Sequence, residues 1–303
     1  MKNLLCIIAI VMTLVLAAVP ARAATKVFLL AGQSNMVGLG KVSELTAPYN
    51  QSQSGINYWN SVTNQWVALQ GGLPVDEGST DHSLYFGPEV SFGYAMHNAF
   101  PTDNIYLIKY AASGSGLADN TAVPAGTWKP SQTTSNPVRL YSSFKSVVTT
   151  AMATITSETP TIAGILWMQG ESDSFFHPDA VAYRNNLAEL VSAVRNDFNS
   201  PNMKWVSGEI MSGFGTAQDT ALVNNGLLTV GDLVGNATAF YTDDLQKWPE
   251  GYHYNAQGQI DLGIRFANAF HAPEPSTMVL IGSGLLALAG HMWRKRGQQM
   301  KRR

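Results

Sequence analysis

Five short apolar runs recur along this chain, each bounded by polar or Gly-rich turns: residues 26–32, 104–111, 163–170, 203–210 and 237–243. Runs of this length, rich in Val, Ile, Leu and aromatics, predict buried β-strands. Between them the apolar period changes from strand-like to helical. In PDAVAYRNNLAELVSAVRNDF, residues 178–198, Leu187, Leu190, Val191, Val194 and Phe198 share one helical face, and Pro178 suits the first turn. Further helices are predicted over 88–100, 137–155 and 255–270. Strand and helix in alternation predict an α/β fold, with a mainly parallel five-stranded sheet covered on both faces. Two polar stretches, 40–87 and 112–136, are rich in Gly, Ser, Thr, Asn and Pro and are expected to be long, site-building loops.

The two ends of the chain do not fit this alternation. The start, MKNLLCIIAIVMTLVLAAVPARA, carries a lysine, an apolar run and a small-x-small site at Ala21-Arg22-Ala23. That order predicts a signal peptide over 1–23, with an uncleaved anchor as the alternative. The chain's single cysteine, Cys6, lies inside it, so residues 24–272 have no thiol for a disulfide, a nucleophile or a metal. At the other end, residues 273–303 run from Pro-Glu-Pro-Ser through an apolar stretch, 278–293, to six basic residues. The stretch is near the short limit for a spanning helix, and its basic flank suits the cytoplasmic side of a membrane.

Removing both ends changes the charge. Residues 24–272 hold eleven Lys and Arg against twenty Asp and Glu, a net charge of −9 that the whole-chain value of −2 conceals. So acidic a domain, of a size for one full core, is poorly suited to nucleic acid. A neutral polysaccharide or a small ester would not be repelled.

Ligands of open parallel sheets bind beyond the carboxyl ends of the strands. Four unusual stretches fall there: GQSN at 32–35, ASGSG at 112–116, QGESD at 169–173 and WPEGYHYN at 248–255. Ser34 needs a base to become a nucleophile, and His253 can supply it. Glu250, three residues before His253, can orient the imidazole. The backbone N–H groups of Ser34 and Gly114 and the side-chain amide of Gln169 are candidates for an oxyanion hole. Gln33 and Asn35, on either side of Ser34, are candidate substrate-binding amides. Asp173 reads as a cap or loop brace. No histidine spacing suggests a metal site, and no cofactor is expected. Trp59, Trp66, Trp128 and Trp248 are open to two readings, a sugar-stacking wall or core.

These blocks in this order resemble the SGNH hydrolases, and within them carbohydrate esterase family six, the acetylxylan and sialate O-acetylesterases. The resemblance implies a three-layer α/β/α fold and a metal-free serine esterase acting on O-acetyl sugars. It matches Ser34 to the nucleophile, His253 to the base and Gly114 to an oxyanion position. It also matches Glu171 of the QGE block to a second candidate for the orienting acid, so Glu250 and Glu171 both stay open. The C-terminal segment resembles the PEP-CTERM signal of Gram-negative bacteria, a plain anchor being the alternative. That resemblance implies an exosortase partner, transient inner-membrane anchoring and delivery to the cell surface or matrix. A polysaccharide-binding surface protein that keeps an esterase fold without turnover is the rival functional reading.

Overall fold

Strand β1, Thr25–Gly32, shows how the chain builds its layers. Successive strand side chains point to opposite faces. Val27 and Leu29 accordingly join one core cluster, and Phe28 and Leu30 join another on the opposite face. A strand buried on both faces must be apolar throughout, as this one is.

The computed structural model describes residues 23–75, 82–134, 136–156 and 160–271. The predicted sorting tail, 273–303, and all but the last residue of the predicted leader lie outside them. After β1 come the one-turn helix α1, Ser34–Val37, and short strand β2, Gly40–Lys41. Strands β3, Gln53–Asn60, β4, Gln65–Leu69, and β5, Tyr85–Phe86, precede helix α2, Glu89–Ala99. Next are β6, Asn104–Ala111, helix α3, Leu140–Ala153, and β7, Thr161–Met168. Helix α4, His177–Asp197, leads to β8, Lys204–Gly208, and helix α5, Ala217–Thr229. The short helix α6, Gly231–Val234, strand β9, Ala237–Phe240, and helix α7, Ala256–His271, complete the fold.

The main sheet runs β4-β3-β6-β1-β7-β8-β9, and β2 and β5 pair separately. Every neighbouring pair in the main sheet is parallel except β3 with β4. The expected five strands are all present, but the sheet has seven, which corrects the predicted count. The extra pair, β3 and β4, lies inside the stretch expected to be loop. Its sequence, QSGINYWN, is half polar, yet Ile56 and Tyr58 enter one core and Trp59 the other. Helix α5 was likewise unforeseen. Its N-cap is Thr216, whose hydroxyl accepts the Asp219 N–H, and Val223 and Leu227 reach the core.

One face of the sheet is covered by α3, α4 and α5 through Phe144, Leu187, Leu190, Val194 and Val223. The other is covered by α2 and α7 through Phe92, Met96, Leu262 and Phe266. Burying each such side chain is worth about 1.5–3 kcal/mol. The expected three layers are therefore present. The strand order departs from β1 in both directions, and Gly32 pairs with Ala111 of β6 and Met168 of β7. That register brings the loops after these three strands side by side.

Candidate active site

The turn after β1 is forced by close packing. A Cβ on Gly32 would lie 2.0 Å from the Met168 carbonyl oxygen, and φ there is +150°. Gln33 then donates its N–H to the same oxygen at 2.9 Å, and its own carbonyl accepts from Met36 and Val37. Ser34 thereby becomes the first residue of α1, where backbone N–H groups have no partner within the helix.

Ser34 Oγ lies 3.1 Å from His253 Nε2. The other ring nitrogen, Nδ1, lies 3.3 Å from Glu250 Oε1. With Nδ1–H donating to the carboxylate, Nε2 is left to accept from the serine hydroxyl. Burial holds the His253 pKa below its ordinary value, and Glu250 offsets that only in part. The imidazole is therefore neutral, and able to accept a proton, at neutral pH.

The cavity over Ser34 and His253 has a volume of about 420 Å³, within the range of ligand clefts. Gln33, Gly114 and Glu171 line it. Gly114 has φ +71°, a conformation that glycine adopts without strain, and it is exposed at the cavity.

The other expected site residues are brought to the site but not all to the cavity. Glu171 is fully buried and takes the Asn35 amide at 2.9 Å on Oε1, while Oε2 has no partner. Burial pushes its pKa up to about 7. Its hydrogen-bonded link to the histidine loop runs through Asn35, which also donates to Tyr252 O and accepts from Tyr254 N–H, on either side of His253. Asn35 is thus a pin between the serine turn and the histidine loop, fully buried and turned away from ligand. Gln169 requires a similar correction. Its Nε2 is engaged with Gln33 Oε1, Ser115 O and Asp173 Oδ2, which accounts for both amide protons. It braces the site from below and has no donor free for an oxyanion.

Asp173 is the brace expected of it, accepting the Leu117 and Ala118 N–H groups as well as the Gln169 amide. The four tryptophans do not form a wall at the cavity. Trp59 and Trp128 are core, Trp66 packs on Trp59 and Tyr106, and Trp248 donates to Leu39 O. The cavity's aromatic lining is instead Phe175, Phe214 and Tyr252. Position beside His253 was the only signal for Tyr252, and nothing marked Phe214. Among the described residues no group of three or more His, Cys, Asp or Glu is placed to hold a metal. Nor is any helix there long and apolar enough to cross a membrane.

Comparison with known proteins gives this geometry a context. The family described as carbohydrate esterase, sialic acid-specific acetylesterase, matches residues 24–272. The PEP-CTERM protein-sorting motif matches residues 271–296. A "Probable carbohydrate esterase" of Arabidopsis thaliana is 26% identical over 262 residues, covering 81% of this chain and 90% of that protein. The fold is shared with a crystal structure of an A. thaliana protein (TM-score 0.67, 22% identity, 82% of this chain and 98% of that one). It is shared with NanS (0.59, 16%, 83% and 98%). A carbohydrate acetylesterase from Xanthomonas citri has it too (0.54, 15%, 80% and 54%). From residue 24 to residue 272, this chain belongs to the carbohydrate esterase family of sialic acid-specific acetylesterases, and it ends in a PEP-CTERM sorting motif.

Proposed function

We propose that this protein is an exported serine O-acetylesterase acting on carbohydrate. The observation that carries the reading is the Ser34–His253–Glu250 relay, with Ser34 and His253 lining a cavity and Glu250 behind the imidazole. Ser34 Oγ attacks the acetyl carbonyl carbon as its proton passes to His253 Nε2. The backbone N–H groups of Ser34 and Gly114 take the charge that develops on the carbonyl oxygen. Collapse breaks the bond to the sugar oxygen, which leaves with the proton from His253. Water, deprotonated by His253, then hydrolyses the acetyl-enzyme and frees acetate and Ser34. Glu250 orients the imidazole and favours its protonated form. Glu171 serves by holding Asn35.

The substrate class proposed is acetylated xylan, acetylated sialate or an acetylated exopolysaccharide. The sorting motif supports an exosortase as partner, a transient stay in the inner membrane and a final place at the surface or in the matrix.

The test is acetate release by residues 24–272 from acetylated xylan, an acetylated sialic acid and an aryl acetate. Wild type should release acetate, and Ser34→Ala should lose roughly 10⁴-fold or more in kcat. A folded Ser34→Ala protein that keeps full activity would sink the mechanism. Binding without turnover in the wild type would favour a non-catalytic polysaccharide-binding role.

A further inference from the structure

A second cavity, of about 390 Å³, adjoins the one over Ser34. Phe214 lines both, as a shared wall. Glycines flank it at 213 and 215, and its ring packs edge-on to Tyr252 at 5.6 Å. Tyr252 in turn packs against the His253 ring at 4.7 Å. An aromatic path therefore runs from the proposed base to the second cavity.

The exposed surface points the same way. Among the large hydrophobic side chains exposed in the described residues, the aromatic ones are Phe175, Tyr241 and Tyr252, at 61%, 58% and 41% exposure. Phe175 and Tyr252 line the first cavity, and Tyr241 lines the second. Exposed aromatics gathered on one rim, rather than scattered, mark a ligand surface. Tyr in particular offers an apolar face and a wet hydroxyl, which suits a sugar ring.

The second cavity also has fixed polar groups. Both ends of the Asn224 amide are held by the Ile210 backbone at 2.8 Å. Asp243 accepts from Ser212 Oγ and Lys247 Nζ, each at 2.7 Å, and from the Ser212 N–H at 3.3 Å, which leaves one lone pair, on Oδ2, for a further hydroxyl. Neither cavity is lined by a Lys or Arg, whereas Glu171 and Asp243 line one each. A sialic acid or uronate carboxylate would meet the Asp243 carboxylate, with the nearby Lys247 already paired to it.

We infer that the Tyr241 cavity is a subsite for the chain of a neutral oligosaccharide whose acetylated residue sits over Ser34. The preferred substrate is then a polymer, with contacts on both sides of Phe214. This rests on the acetylesterase reading and adds to it the class of sugar and the length of chain.

The experiment uses acetylated xylo-, manno- and cello-oligosaccharides from disaccharide to hexasaccharide, with an aryl acetate as reference. For the wild type, kcat/KM should rise with chain length on at least one series and level off once the second cavity is filled. Tyr241→Ala should lose about tenfold on the longest chains, through KM, and nothing on the aryl acetate. Calorimetry of the same chains with Ser34→Ala reads binding without turnover, and there Tyr241→Ala should weaken the affinity by the same factor. Failure to hydrolyse any ester would defeat the esterase reading, yet a Tyr241-dependent affinity would uphold the subsite. Flat chain-length dependence on all three series, or an equal loss on aryl acetate, would overturn it. So would tighter binding of sialylated or uronic chains than of neutral ones.

Discussion

The two candidate acids differ in what each carboxylate touches. Glu250 meets the imidazole, and Glu171 meets an amide two contacts away. Glu171→Gln keeps an oxygen for Asn35 and is expected to hold kcat within a few-fold. Glu250→Gln should lose roughly 10- to 100-fold, less than a deeply buried orienting acid because Glu250 is 36% exposed. The pH profile separates them further. His253 must be neutral to act, so kcat/KM should fall as pH drops through a midpoint below the ordinary histidine value. Glu250 raises that midpoint, so Glu250→Gln should move the acid limb to lower pH, whereas Glu171→Gln should leave it in place. A second residue-scale prediction concerns Lys109, buried in β6, which reaches Glu89 at 2.6 Å and the Val37 carbonyl at 2.8 Å. Lys109→Met strands the Glu89 carboxylate and should cost about 3–5 kcal/mol by urea unfolding. The closeness of Ser34 and His253 was legible because both stand in turns beyond strand ends, where an open parallel sheet gathers its loops. Lys109 was not, since a lysine inside an apolar run carries no sign of its partner.

At the scale of elements, the sequence showed what periodicity can show. Strands buried on both faces, such as β1 and β6, are continuous apolar runs, and their ends were placed to within a residue or so. The β3–β4 hairpin was hidden because it lies at the sheet edge, where β3 is half polar and the apolar run of β4 is only four residues long, across a turn at Asn64, φ +52°. Helix α5 was hidden because the face it buries mixes Asp219, Thr220 and Gly226 with Val223 and Leu227, which breaks the apolar period. The role of Gln169 was misread for a related reason: strand ends show which residues approach the site, but not which way an amide turns once buried. Helix α7 follows the histidine loop directly, and Phe266 packs edge-on to Phe240 with centroids 4.9 Å apart. Phe266→Ala should cost about 3–5 kcal/mol in stability, read by thermal or urea unfolding. It should leave kcat near wild type wherever the protein remains folded, since Phe266 does not line the cavity.

For the whole molecule, the loops that make the site are held by one sheet and two cores shared along its length. No part of the site belongs to a unit that folds alone. Loss of aryl-acetate hydrolysis in urea should therefore coincide with loss of secondary structure, within the error of the two midpoints. Activity that disappears well before the far-UV signal would show that the histidine loop detaches on its own. The acidic balance of residues 24–272 belongs to this scale as well, since outside them the chain carries eight Lys and Arg and one acid.

Ser34 and His253 meet across 219 positions of sequence. The proposed nucleophile leaves the ribosome, and would cross a membrane, long before the proposed base does. A chain threaded from its N-terminus is therefore chemically silent for almost all of its journey and becomes competent only when the last helix docks.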